Sequence, residues 1–309
     1  MRDAFCKELN KLAAENPELL LLTGDIGFQV FDQFRAQYPD RFYNMGVAEA
    51  NMIGTAAGLA LSGKKPFVYT IIPFLTMRAF EQIRNDVCMQ NQPVKIVGVG
   101  GGVAYGVLGP THHSIVDLAI LRALPNMTVI SPCDPLESQL ATRAAFNHSG
   151  PVYLRLGKNG EPALHDHEYD FEIGQAVTMR EGGEATIIVC GAVTRIALET
   201  SELLGQKGIG VRVINMHTLK PIDKETILKA AEETRAIVTV EEHNIIGGLG
   251  SAVAEVLAEA NLQIPFRRVG INDSFGYGVG SQTYHLNKNG INTPNITKLI
   301  LELIKEYRG

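Results

Sequence analysis

Short apolar runs alternate along the chain with longer stretches whose apolar positions recur every three to four residues, and this alternation predicts strands separated by helices. A helix over about 2–15 leads into Leu19-Leu20-Leu21-Leu22-Thr23-Gly24-Asp25, a continuous apolar run closed by glycine, as a strand buried on both faces should be. A helix opened by Glu49 comes next, followed by strand 66–72, helix 76–90, strand 94–99, helix 114–124, strand 127–131, helix 135–147 and strand 151–155. The same alternation resumes at strands 185–190, 211–215 and 236–241, with a helix opened by Gly247-Gly248-Leu249-Gly250-Ser251. Helices between buried strands imply parallel pairing with right-handed crossovers. The expected fold class is therefore α/β, with two doubly wound domains: a parallel-sheet domain over 1–165 and a smaller one over 175–309. The stretch 157–172, rich in Gly, Pro, His and acids, is the expected linker.

Composition narrows the function. A chain of 309 residues, 45% hydrophobic, can bury a substantial core. Its charges are interspersed, with a net −5, so it carries no footprint for nucleic acid or anionic lipid. The expected partners are small molecules and proteins, with no nucleic acid and no membrane. Without a signal-like N-terminus or a bilayer-length apolar run, a cytoplasmic location is expected. Cys6, Cys88, Cys133 and Cys190 lie far apart without metal-ligand spacing and read as reduced, buried thiols.

Two segments carry candidate chemistry. Glu49 opens a helix of small and apolar residues, where a partly desolvated carboxylate favours its proton-donating form and can share a proton with a ring nitrogen. Read alone, it is equally a first-turn acid favoured by the helix dipole. Ligands of open parallel sheets bind beyond the carboxyl ends of strands, which singles out the loops 23–28, 70–76, 98–113 and 155–160. The third is glycine-rich and ends in His112-His113; adjacent residues point apart, so one histidine at most reaches a substrate. The glycines alone fit a flexible loop as well as a ligand cradle, and no further metal ligands stand nearby.

Gly46-Val-Ala-Glu49-Ala-Asn-Met52, Phe74-Leu-Thr-Met-Arg78-Ala-Phe-Glu-Gln-Ile-Arg84, Gly109-Pro-Thr-His112 and Leu121-Arg-Ala-Leu-Pro-Asn-Met-Thr-Val-Ile-Ser-Pro132 together resemble the C-terminal half of transketolase. Val240-Glu-Glu-His-Asn-Ile-Ile-Gly-Gly-Leu-Gly-Ser251 resembles that family's last domain, so the likeness spans nearly the whole chain. It implies a pyrimidine-binding domain followed by the C-terminal domain of thiamine diphosphate enzymes. By this resemblance Glu49 bonds the aminopyrimidine nitrogen and activates the cofactor, whose ring serves as an electron sink in moving a two-carbon ketol unit from a ketose to an aldehyde-type acceptor. Phe74 is expected to stack on the pyrimidine, Arg78 to share its loop, Asp25 to stand near the cofactor, and His112 to meet a substrate hydroxyl or oxyanion. Arg2, Arg155 and Lys158 are the expected substrate-binding cations. On their own residues, Phe74 fits core packing, Asp25 a turn, and Arg2 and Lys158 a solvated surface.

The family holds the diphosphate through a divalent metal with a Gly-Asp-Gly motif and a downstream Asn, because hard phosphate oxygens and Mg2+ need oxygen ligands. Here only Gly24-Asp25-Ile26 comes close. The resemblance therefore implies the C-terminal subunit of a split transketolase, with an N-terminal partner subunit holding Mg2+ or Ca2+, an α2β2 assembly, and self-association through both domains. No metal ligand is assigned to this chain. Departures bear on substrate: Val107-Leu108 replace the usual acid before the Gly-Pro-Thr-His motif, Gly100 replaces a phosphate-binding histidine, Gln29 a common serine, and Lys158 an arginine fork. Sugar or sugar-phosphate substrates other than the usual pentose phosphates are expected. The alternatives are a 2-oxo acid dehydrogenase β-type subunit, a carboligase similar to deoxyxylulose phosphate synthase, or a scaffold without turnover.

Overall fold

The computed structural model describes residues 1–158, 160–276 and 278–307; Asn159 of the expected linker and the last two residues of the second expected domain lie outside these. Its strands are β1 (Leu19–Thr23), β2 (Phe42–Asn44), β3 (Lys65–Ile71), β4 (Lys95–Val99), β5 (Thr128–Ile130), β6 (Val152–Leu156), β7 (Val177–Arg180), β8 (Ala185–Val189), β9 (Val211–Asn215), β10 (Thr218–Lys220), β11 (Ile237–Asn244) and β12 (Phe266–Ile271). Among the described residues they form a seven-stranded sheet, β10-β5-β6-β4-β3-β1-β2, and a five-stranded sheet, β12-β11-β8-β9-β7. The α/β class with two helix-covered sheets is as the alternation implied. Each sheet is mixed, however: β10 runs antiparallel to β5, and β7 antiparallel to β9.

Side chains alternate across a strand, and β1 shows what that does here. Leu19 and Leu21 pack with Phe5, Leu9 and Ala141 from helices Arg2–Glu15 and Pro135–Asn147 on one face. Leu20 and Leu22 pack with Met52, Ile53 and Ala56 from helix Glu49–Leu61 on the other. That second core continues without a break into Ile188, Ile214 and Val253 of the five-stranded half. The halves are welded through apolar contact, and β10 carries chain from the second half into the first sheet.

Two expected helices are corrected. The helix placed at 76–90 begins at Ile72, with Pro73 in its first turn, where the missing N–H costs nothing. It breaks at Ala79 (φ −107°) and resumes through Phe80–Gln82 into a π-helical turn, Ile83–Cys88. The helix placed at 114–124 is only Asp117–Arg122, because the Ser114 N–H donates to the Gly102 carbonyl (2.7 Å) and keeps that residue extended.

The stretch expected as a linker is a strap bound to both halves. Asp134 Oδ2 accepts from the N–H groups of Leu164 (2.8 Å) and His165 (2.9 Å), and the Tyr169 hydroxyl donates to Glu137 Oε1 (2.7 Å). Phe171 stacks on His217 at 4.1 Å. Burial alone would push the Asp134 carboxyl up, but His165 and the N–H groups of Glu137, Leu164 and His165 outweigh it and hold the pKa at about 2, below its ordinary 3.8. Because the folded-state pKa is depressed, this contribution is full above about pH 4 and is lost as pH falls toward 2. Asp134→Ala is expected to cost about 2–3 kcal/mol at neutral pH by denaturant titration. The gap from wild type should close between pH 4 and 2; a gap constant across that window would refute the assignment.

Candidate active site

The residues singled out by sequence gather at one edge of the large sheet, where β1, β2, β3, β4 and β6 present their carboxyl ends. Asp25 follows β1, Glu49 follows β2, Phe74 and Arg78 follow β3, His112 ends the loop after β4, and Lys158 follows β6.

Glu49 is 2% exposed, in the first turn of helix Glu49–Leu61. It is desolvated as the helix of small and apolar residues implied, and it has a partner the sequence did not reveal: Arg78 Nη1 donates to Glu49 Oε2 at 3.2 Å. The Arg78 guanidinium lies 4.6 Å over the Phe74 ring, a cation–π contact. Phe74 in turn meets His112 edge-on, ring centroids 5.1 Å apart. Glu49, Arg78, Phe74 and His112 thus form one unbroken chain of contacts drawn from three separate segments.

The two histidines part company as adjacent residues should. His112 is half-buried beside Phe74, its Nδ1 at 3.0 Å from the Thr111 hydroxyl, and its Nε2 has no partner among the described residues. His113 turns inward, 5% exposed, with Nε2 at 3.3 Å from the Gly106 carbonyl and its ring 5.0 Å from that of His285. Burial holds the His113 pKa below its ordinary value, so it stays neutral.

Asp25 adopts a left-handed backbone (φ 54°), and its carboxylate accepts from Asn44 Nδ2 at 2.9 Å while its N–H donates to Asn44 Oδ1. It borders a cleft of about 230 Å³ with Phe28 and Phe31. A larger groove, about 850 Å³, runs between helix Arg2–Glu15 and the 28–38 segment, lined by Arg2, Cys6, Asn10, Gln29 and Gln33. Arg2 therefore faces a cavity, with its Nε on Asp3.

Arg155 is a correction. Its guanidinium is buried and spent on structure: Nε donates to Asp117 Oδ2 (2.8 Å), and Nη2 to the carbonyls of Ser114 (2.9 Å) and Glu242 (3.0 Å). Position on a strand could not reveal this, since the acid that claims it lies on another segment. Glu242, which sequence reasoning passed over, accepts from the Val103 N–H (2.8 Å) and from Gln282 (2.9 Å), and so fastens the glycine-rich loop to the smaller half. Burial pushes its pKa up to about 7, against the opposing pull of Gln282, Arg155 and the Val103 N–H. Its Val-Glu-Glu-His setting was the available signal.

Tyr105 was also missed. Gly100 holds φ 88°, and a Cβ there would sit 2.1 Å from the Tyr105 ring. That ring lies 6.3 Å from His112, and Lys158 Nζ stands 5.0 Å over its centroid.

The residues suit one end of a thiamine-type cofactor: a buried carboxylate for a ring nitrogen and an aromatic face beside it. They do not suit a metal-bound diphosphate. Among the described residues the only cluster of potential ligands is Cys133, Glu137 and His165, and Glu137 there already accepts from Tyr169, Asn215 and the Cys133 N–H. The cysteines are buried and free; burial pushes Cys6 up to about 12 and Cys88 to about 11, so neither offers a thiolate.

Residues 1–161 match the family described as transketolase, pyrimidine binding domain, and residues 174–296 match transketolase, C-terminal domain. The chain is 38% identical over 307 residues to one of the subunits of apulose-4-phosphate transketolase from Phocaeicola vulgatus, covering 99% of this chain and 97% of the relative. It is 38% identical to 6-deoxy-6-sulfo-D-fructose transketolase subunit SqwH of Clostridium sp. (strain MSTE9), covering 98% and 94%. A solved structure described as a split gene transketolase, inactive beta4 tetramer, is 40% identical, covers 98% of each chain and superposes with a TM-score of 0.91.

Gly100→Ala is expected to destabilise by about 2–4 kcal/mol, combining a left-handed backbone cost with overpacking against Tyr105. Adding Tyr105→Ala should recover the overpacking part only. A loss below about 0.5 kcal/mol for Gly100→Ala would mean the ring does not occupy that space.

Proposed function

This chain belongs to the transketolase family, and on that premise we propose that it is the C-terminal catalytic subunit of a two-subunit, thiamine diphosphate-dependent enzyme that transfers a two-carbon ketol unit from a ketose to an aldehyde-type acceptor. The observation that carries the proposal is the contact chain Glu49–Arg78–Phe74–His112 at the carboxyl edge of the sheet. When bound, the cofactor supplies the electron sink for carbon–carbon cleavage.

Glu49 would meet the pyrimidine nitrogen from a position shielded from water, and Arg78 fixes the direction in which its carboxylate points. Phe74 would lend the ring an apolar face. The Thr111 hydroxyl orients the His112 imidazole through Nδ1, which leaves Nε2 to hold or pass a proton at a substrate hydroxyl. Asp25, braced by Asn44, would stand at the cofactor's edge, and Arg2 and Lys158 would receive the far end of the substrate.

The missing diphosphate end calls for a partner subunit that supplies Mg2+ or Ca2+ and its oxygen ligands, with the active site at their interface in an α2β2 assembly. Exposed apolar residues adjoining the site in the chain, Val47, Met77, Val107 and Leu108, favour a surface that another chain covers. Self-association is supported by the related beta4 tetramer. No helix among the described residues is long and apolar enough to cross a membrane, and a cytoplasmic location belongs to this proposal. Related subunits named for apulose 4-phosphate and for 6-deoxy-6-sulfo-D-fructose support substrates outside the usual pentose phosphates.

With the partner reconstituted, Glu49→Ala is expected to lower ketol transfer at least about 100-fold while leaving assembly unchanged. A variant that keeps wild-type turnover would reduce the chain to a scaffold. Calorimetric titration of the isolated chain with thiamine diphosphate should show no tight stoichiometric binding; tight binding would refute the split site.

A further inference from the structure

The glycine-rich loop that carries His112 is closed at its base, where the Ser114 N–H donates to the Gly102 carbonyl (2.7 Å) and the Ser114 hydroxyl to the Gly100 carbonyl (3.1 Å). Just inside that base the Val103 N–H donates to Glu242 Oε1 (2.8 Å). Gly102 makes the approach possible: its backbone is left-handed (φ 63°), and a Cβ there would lie 2.2 Å from Glu242 Cγ. Helix Gln282–Lys288 of the smaller half stands behind this contact. Gln282 Nε2 donates to both Glu242 oxygens, at 2.9 and 3.0 Å, and among the described residues it is the only partner of Oε2. Three residues on, and so on the same helix face, His285 meets the His113 ring at 5.0 Å. A Cβ on Gly106 would lie 3.0 Å from the His285 ring. One short helix thus holds the loop near its start through Glu242 and at its end through His113, the neighbour of His112.

The structure assigns Gln282 and Glu242 a positioning role: from the smaller half, acting through the base of the glycine-rich loop, they fix where the His112 imidazole points. The inference rests on the ketol-transfer reading for what His112 does, and on the contacts above for how it is held. Gln282 matters because Glu242 is only 3% exposed, and a buried carboxylate oxygen deprived of its donor bears the whole desolvation cost. Burial drives the Glu242 carboxyl toward its neutral form, and Gln282 is the foremost of the groups that oppose it. A neutral carboxyl is the weaker acceptor for the Val103 N–H, so loss of Gln282 loosens the base of the loop. A small shift there is costly, since proton transfer demands that His112 stand within hydrogen-bond reach of the substrate.

The test is a double-mutant cycle in the partner-reconstituted complex, with Gln282→Ala, His112→Ala and the pair, beside Glu242→Ala and Glu242→Gln. Gln282→Ala is expected to lower kcat for ketol transfer about tenfold while KM changes less than about twofold. In the His112→Ala background the same change should alter kcat less than about twofold, because the group it positions is gone. Glu242→Ala should lower kcat at least as much as Gln282→Ala. Glu242→Gln should restore most of that loss, since an amide oxygen still accepts from the Val103 N–H while Gln282 turns its own amide over to accept. Amide hydrogen exchange of the same complexes reads the loop without reference to activity: Gln282→Ala should speed exchange across residues 103–113 about tenfold and leave helix Pro135–Asn147 unchanged. The proposal is overturned if Gln282→Ala keeps wild-type kcat, if it lowers kcat equally with and without His112, or if exchange in the loop does not change. If the wild-type complex transfers no ketol unit, the assigned reaction falls, and the exchange measurement alone decides whether Gln282 holds the loop.

Discussion

A guanidinium buried between the two sheets holds the working parts of this molecule in register. Arg155 extends from β6 near the middle of the large sheet and reaches Asp117 on the helix after the glycine-rich loop, the Ser114 carbonyl at that loop's end, and the Glu242 carbonyl on β11 of the smaller sheet. Burying a charge is expensive and is repaid only where opposite charge and hydrogen-bond acceptors wait for it, as Asp117 and the two carbonyls do here. The arrangement also constrains sequence far from itself. Glu242 clamps the Val103 N–H from the same β11 residue whose carbonyl Arg155 holds, and His112 is carried on that same loop.

The edge that carries the proposed site inherits its order from this packing. Parallel strands deliver Asp25, Glu49, Phe74, His112 and Lys158 to one side because each sits just past a carboxyl end, and the apolar cores on both faces fix those ends relative to one another. Within the edge, contacts of different physical kinds are chained together: an ion pair, a cation over a ring, and an edge-to-face ring pair. Each is weak by itself near a surface. Together they orient an acid, an aromatic face and an imidazole toward common ground. On the proposed reading that ground would take a flat heterocycle, and among the described residues no cluster of potential metal ligands stands there to hold a metal-bound diphosphate, which is the physical basis for invoking a second subunit.

Long-range order was the part the chain concealed. The helices at 2–15 and 135–147 and the buried strands of the large sheet's centre were legible, because continuous apolar runs and 3.6-residue periods are local signals. The edge strands β2 and β10 are three residues each, too short for a period to show, and β10 pairs with a strand nearly 90 residues earlier. The segment 157–172 looked like a linker since its composition is polar, yet its polar groups are what bind it to Asp134 and Glu137. Composition reports how wet a residue prefers to be; it does not report which buried partner satisfies it.

The sequence by itself determined the fold class, pointed to the carboxyl edge of the sheet, and through the family resemblance of its short motifs named Glu49, Phe74, Arg78 and His112 as the proposed carriers of chemistry there. Only the tertiary structure decided that Glu49 is paired, that His112 and not His113 faces the site, that Arg155 is structural, and that Tyr105 fills the space above Gly100. Each of those depends on the direction of a side chain relative to a segment distant in the chain. Direction is fixed by packing, not by the residue's own neighbours.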